Sequence, residues 1–119
     1  MPRISVCIAT YNGERYIAKQ LDSILEQLRD DDEVVVSDDS SGDKTLEIIQ
    51  SYQDKRIKLF PNQKFRSPIF NFENALKQAT GSYIFLSDQD DLWGPGKVET
   101  ALKSLQTHQV FVSDANIIN

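Results

Sequence analysis

The chain has 119 residues, 39% hydrophobic and 26% charged, the make-up expected of one soluble globular domain spanning 1–119. No apolar run approaches the roughly 20 residues a membrane span needs, and Met1-Pro2-Arg3 runs straight into a strand-like segment with no signal-peptide pattern, so the cytoplasm is the expected compartment. A formal net charge of −5 argues against nonspecific nucleic-acid binding and requires any anionic ligand to find a local cation, while a single cysteine, Cys7, excludes an internal disulfide and thiolate zinc motifs.

Taken in order, apolar runs alternate with helical patterns. Ile4 to Ala9 is a short run of apolar and small residues, as in a strand buried on both faces, and Cys7 within it reads as a buried structural thiol. Thr10-Tyr11-Asn12-Gly13 is turn-like, and Ile17, Leu21, Ile24, Leu25 and Leu28 then recur at helical spacing. Glu33 to Ser37 is a second strand, ending in Asp38-Asp39-Ser40-Ser41-Gly42. Leu46, Ile49 and Tyr52 begin another helical face, and Arg56 to Phe60 is a third strand. Ser67-Pro68 has the form of an N-cap with proline at the first helical position, opening a helix that carries Phe72, Ala75, Leu76 and Ala79. Gly81 is placed to end it. Tyr83 to Leu86 is a fourth strand, Gly94-Pro95-Gly96 introduces a last helix with Val98, Leu102 and Leu105, and Val110 to Val112 is a fifth strand.

Five strands alternating with four helices predict an α/β fold: a three-layer sandwich with a mostly parallel sheet joined by crossovers. Ligands of such sheets bind beyond the carboxyl ends of the strands, where the strand order reverses. The chemically suggestive residues fall at those ends. Asp38 and Asp39 follow the second strand, and Ser87-Asp88-Gln89-Asp90-Asp91 follows the fourth.

Five carboxylates facing one crevice would repel one another, and a divalent cation removes that conflict. Oxygen ligands suit Mg²⁺ or Mn²⁺, which leave positions for water and phosphate. The alternative is that these aspartates serve turns and helix N-caps. Tyr11 has the character of a base-stacking ring, and Asn12-Gly13 of a helix start with amides aimed at phosphate, although a plain strand-to-helix turn with an N-cap asparagine accounts for both. Arg66 is either a partner for a diphosphate or a surface arginine. Trp93 either walls a ligand pocket or fills the core, and His108 reads as a helix-end surface residue. There is no GxGxxG, no GxxxxGK[ST] and no GxSxG elbow, so dinucleotide, P-loop and serine-hydrolase readings lack their motifs.

Three segments, Ile4 to Gly13, Val34 to Thr45 and Gly81 to Trp93, together resemble the family-2 glycosyltransferases of the GT-A fold, in the family's order and at its spacing. The Ser-Asp-Gln-Asp-Asp-Leu-Trp version is most similar to bacterial rhamnosyltransferase-type members, which build surface polysaccharides. The resemblance implies a Rossmann-like nucleotide-binding half acting on a UDP- or dTDP-sugar, with a saccharide or lipid-linked acceptor at the inner face of the membrane. It implies that Thr10 and Tyr11 line the base pocket, that Asp38 reads the base edge with Asp39 sharing or taking that role, that Asp88 lies near the ribose, and that Asp90 contacts a Mg²⁺ or Mn²⁺ bridging the diphosphate. Ser40 stands where the family usually has glycine.

The family's catalytic base and acceptor elements lie in a second half, and no residue here matches them; Asp114 is a late carboxylate without the base motif. The expectation is therefore a donor-binding part, truncated relative to a complete domain, of an inverting enzyme. The alternative is a binding-only nucleotide and metal module, and an exposed apolar edge would favour a homodimer. A phosphoryl-accepting receiver domain is disfavoured, because receivers carry the acidic pair after the first strand and an acceptor aspartate after the third, whereas here the pair follows the second and the third ends in Pro61-Asn62.

Overall fold

The computed structural model describes residues 3–87, 94, 96, 98, 110–112 and 117–118. The described elements are β1 (Ile4–Thr10), α1 (Ile17–Leu25), β2 (Glu33–Asp38), α2 (Thr45–Ser51), β3 (Ile57–Phe60), α3 (Pro68–Gln78), β4 (Tyr83–Ser87), β5 (Val110–Val112) and β6 (Ile117–Ile118). They form one sheet of order β3-β2-β1-β4-β5-β6, parallel throughout except for β6, which pairs antiparallel with β5. The mostly parallel sheet is as the alternating pattern predicts. Two-residue β6 was not foreseen, being too short to show a periodicity. The expected helix over Val98, Leu102 and Leu105 lies outside the described residues, apart from the buried Val98.

Strand parity sorts the side chains into two layers. Ile4, Val6 and Ile8 of β1, Val34 and Val36 of β2, and Phe85 of β4 share one face with Ile17, Leu21, Ile24 and Leu25 of α1 and Ile49 of α2. Cys7 and Val35 point the other way, toward Ala75 of α3, with Ile84 and Leu86 packed alongside. Helices therefore cover both faces. Each fully buried aliphatic side chain contributes roughly 1.5–3 kcal/mol, so α1, with Ile17, Leu21 and Ile24 fully buried, is held by its stripe and not by a cap; no side chain caps its start. Burial pushes the Cys7 thiol up to about 12, with Glu33 adding to the effect, which makes it the inert core thiol expected.

Two expectations change. α3 is capped as foreseen, Ser67 Oγ accepting from the Phe70 amide with Pro68 next in the chain, but its inward face is Asn71 and Ala75, and Leu76 is 37% exposed. The buried hydrogen bonds of Asn71, described below, rotate that face. Gly81 does not cap the helix, which ends at Gln78 with extended Ala79 as C-cap. A Cβ at Gly81 would lie 2.6 Å from Ser5 Oγ, 2.8 Å from Ser5 N and 2.9 Å from Arg3 O. Glycine is required there because the chain runs against β1, and its amide donates to Ser5 Oγ at 2.7 Å.

Candidate nucleotide site at the carboxyl edge

With the order β3-β2-β1-β4 and α1 and α3 on opposite faces, the strand sequence reverses between β1 and β4. The carboxyl ends there are in register: Thr10 pairs with Asp38, and Ile8 with Ser87. Open parallel sheets place ligands at this point because diverging loops leave a crevice.

Asp38 is fully buried. Its Oδ1 accepts from Thr10 Oγ1 at 2.7 Å and Ser41 Oγ at 2.5 Å, and its Oδ2 from the Ser41 amide at 2.8 Å. Both oxygens are thus engaged inside the protein. Thr10, 1% exposed, spends its hydroxyl on this bond. Asp39 differs. It is only partly buried; its amide donates to the Thr10 carbonyl at 3.0 Å, and its carboxylate accepts from the amides of Phe65 at 2.8 Å and Ser67 at 3.2 Å.

Those two amides flank Arg66, which sits at φ 52°, a left-handed conformation costly for a side chain without glycine's freedom. Arg66 is exposed and forms no ion pair with another described residue. Ser40, at φ 59°, is also left-handed, which accounts for the glycine usual at this position; its hydroxyl donates to the Gln63 carbonyl at 2.6 Å in partial compensation. Tyr11 is 59% exposed at the end of β1.

The β1–α1 and β2–α2 loops are laced together. The Asn12 amide donates to Ser41 Oγ, the Gly13 amide to Thr45 Oγ1 and the Glu14 amide to Asp43 Oδ2, while Asn12 Oδ1 accepts from the Gly42 amide. The amides expected to face a phosphate are therefore consumed, and Asn12, at φ 53°, is a loop tie and not an N-cap. Burial pushes the Asp43 carboxyl up, and the hydroxyl and amide of Thr45 with the Glu14 amide overcome it, holding Asp43 below its usual range.

Asn71, 2% exposed, was missed from the sequence. It accepts from Ser37 Oγ at 2.7 Å and donates to the Thr10 carbonyl at 3.1 Å, locking α3 to the ends of β1 and β2. Its signal is present: an amide four residues before Ala75 shares that residue's inward face. The structure thus brings Thr10, Tyr11, Asp38, Asp39 and Arg66 to one edge, beside the end of β4. Asp88 and Asp90, with Gln89, Asp91 and Trp93, lie outside the described residues, as do His108 and Asp114. Among the described residues no group of three histidine, cysteine or carboxylate side chains could hold a metal.

The mostly parallel sheet with helices on both faces defines a doubly wound α/β domain, with acids and an exposed aromatic ring at its carboxyl edge. The family model described as glycosyl transferase family 2 matches residues 5–118, and the chain belongs to that family. Among curated relatives it is 38% identical over 106 residues to a Campylobacter jejuni GalNAc(5)-diNAcBac-PP-undecaprenol beta-1,3-glucosyltransferase, covering 87% of this chain and 34% of the relative. It is 36% identical to the Shigella flexneri dTDP-rhamnosyl transferase RfbG, covering 93% and 41%. Among solved structures, S. aureus TarS in complex with UDP superposes with a TM-score of 0.78 at 33% identity, over 89% of this chain and 32% of that one. The mannosyltransferase PcManGT from Pyrobaculum calidifontis, in complex with GDP-Man and Mn²⁺, gives 0.79 at 33%, over 87% and 32%. The fold is the GT-A type of these enzymes. The chain spans about a third to a half of the length of the curated relatives it matches.

Proposed function

We infer that residues 1–119 form one nucleotide-diphospho-sugar-binding domain, the donor-binding part of an inverting glycosyltransferase that passes a sugar from a UDP- or dTDP-sugar to a saccharide or lipid-linked acceptor in bacterial surface polysaccharide synthesis. The observation that carries this reading is the gathering of exposed Tyr11, part-exposed Asp39 and exposed Arg66 at the carboxyl edge of the sheet, Tyr11 following β1, which pairs with the strand that leads into the acidic turn. The UDP and GDP-Man complexes of its structural neighbours and the undecaprenol-linked acceptor of a relative support the substrate classes and a site of action at the membrane. No helix among the described residues is long and apolar enough to cross a membrane.

In this reading the Tyr11 ring stacks on the base. Asp39 reads the base edge, since its oxygens each keep a lone pair beyond the amides they accept, whereas buried Asp38 serves as the strut beneath. Arg66 supplies the local cation that the net charge of −5 demands for a diphosphate. Asp88 faces the ribose and Asp90 is the metal ligand. The all-oxygen chemistry of that turn fits Mg²⁺ or Mn²⁺, which when bound would neutralise charge on the departing nucleoside diphosphate.

Calorimetric titration of UDP and dTDP, with Mn²⁺ and with the metal chelated, tests the reading. Binding is expected to strengthen with Mn²⁺, and Tyr11→Ala is expected to cost about 1–3 kcal/mol, the usual loss of one base–aromatic stack. Metal-independent affinity unchanged in Asp90→Ala would sink the metal assignment. The binding-only alternative predicts the same titrations with no sugar transferred to an acceptor.

A further inference from the structure

Two glutamines of the α1 region reach across the molecule to either side of the acidic turn. Gln20, fully buried within α1, donates from Nε2 to Ser87 Oγ at 2.9 Å, at the last residue of β4. Gln27 lies seven residues on, about two helical turns, in the tightened end of the helix where its amide donates to the Ile24 carbonyl. Its Nε2 donates to the Gly94 carbonyl at 2.7 Å and its Oε1 accepts from the Val98 amide at 2.9 Å, with a longer 3.5 Å contact from Nε2 to the Ser23 carbonyl. Ser87 immediately precedes Asp88, and Gly94 follows Trp93.

Gln20 in α1 and Gln27 two residues past its end therefore hold Ser87 and Gly94, which flank the stretch that carries Asp88 and Asp90. A primary amide is the side chain suited to this, because it donates and accepts at once and so can hold a carbonyl and an amide together. A carboxylate of the same shape loses the donor, and a leucine loses both. Core packing alone asks for none of this: the α1 stripe of Ile17, Leu21, Ile24 and Leu25 already supplies the apolar contact.

We propose that Gln20 and Gln27 are positioning residues for the metal-binding turn, tying the residues on either side of it, Ser87 and Gly94, to α1 and to the segment just after it. This rests on the donor-site reading above. Groups that orient metal ligands without touching the metal typically control about 10- to 100-fold in affinity.

Gln27 is the better probe, being half-buried where Gln20 is fully enclosed. The intact protein and its Gln27→Leu variant are titrated with UDP in Mn²⁺ and with the metal chelated, and amide exchange is followed at Val98 and at Val35 in the central strand. The variant is expected to bind UDP about tenfold or more weakly in Mn²⁺, to keep its metal-free affinity, and to exchange faster at Val98 with Val35 unchanged. Gln27→Glu, which keeps only the acceptor toward Val98, falls between. An equal loss in both titrations, or no loss in Mn²⁺ while Val98 exchange accelerates, overturns the proposal. A wild-type protein whose UDP affinity ignores Mn²⁺ overturns the donor-site metal instead, and this inference with it, so the two failures are told apart.

Discussion

At the end of β2 the chain passes from Asp38, whose carboxylate is enclosed among Thr10 and Ser41, to Asp39, whose carboxylate reaches the 65–67 backbone at the surface. Successive strand residues face opposite ways, so two adjacent identical side chains take different work. Asp38→Ala is expected to lower unfolding stability by about 2–4 kcal/mol, because it leaves the buried Thr10 hydroxyl and the Ser41 donors without an acceptor. Denaturant melts of the variant measure this directly. Asp39→Ala frees two amides that lie nearer solvent, so its loss of stability is expected to be the smaller, with the weight falling on nucleotide affinity. A reversed order would exchange the roles assigned to the pair.

Among elements, the α3–β4 connection shows how close packing replaces a local rule. Gly81 is held against β1 by contacts at Ser5 and Arg3, two of them to backbone atoms that cannot swing aside. Gly81→Ala should therefore destabilise by about 1–3 kcal/mol or more, the usual range for overpacking, although alanine would suit an ordinary helix end. Thermal or denaturant unfolding reads the change, and a neutral result would show that β1 and β4 can part without cost. α3 carries the same lesson on its other side. Leu76 fits the apolar spacing yet faces outward, because Asn71 is drawn in by Ser37 and Thr10.

Over the whole molecule the two edges of the sheet are built for different ends. The carboxyl edge keeps exposed groups and left-handed backbone at Asn12, Ser40 and Arg66, whereas the amino edge is closed by Glu33, 1% exposed. Glu33 accepts from Ser5 Oγ at 2.6 Å and from the amide and hydroxyl of Thr80 at 2.7 and 3.1 Å, and it pairs with Arg3 and Lys58. Burial pushes its carboxyl up, but the Ser5 and Thr80 hydrogen bonds and the Arg3 charge prevail and hold it below its ordinary 4.5. A carboxyl lowered on folding contributes stability that is complete above the unfolded value and is lost as pH falls through the folded one. Stability should accordingly decline below pH 4.5 in the wild type, and Glu33→Gln should be less stable at neutral pH and lose less on acidification. Unfolding curves at a series of pH values test both statements, and parallel declines in the two proteins would remove Glu33 as the cause.

Much of this was legible from residue order alone. Strand and helix periods are local properties, so the β/α alternation, the apolar stripe of α1, the Ser67-Pro68 start of α3 and the placing of Tyr11, Asp38 and Asp39 at strand ends could all be read within windows of a dozen residues. The acidic turn and its family likeness are equally a matter of sequence. What required the folded chain depends on partners 28 to 76 positions away: which aspartate Thr10 encloses, the inward turn of Asn71, the glycine beneath β1, and the reach of Gln27 to Gly94. Such contacts leave no period in the sequence, because each is a single hydrogen bond or a single close approach whose partner is chosen by the sheet order.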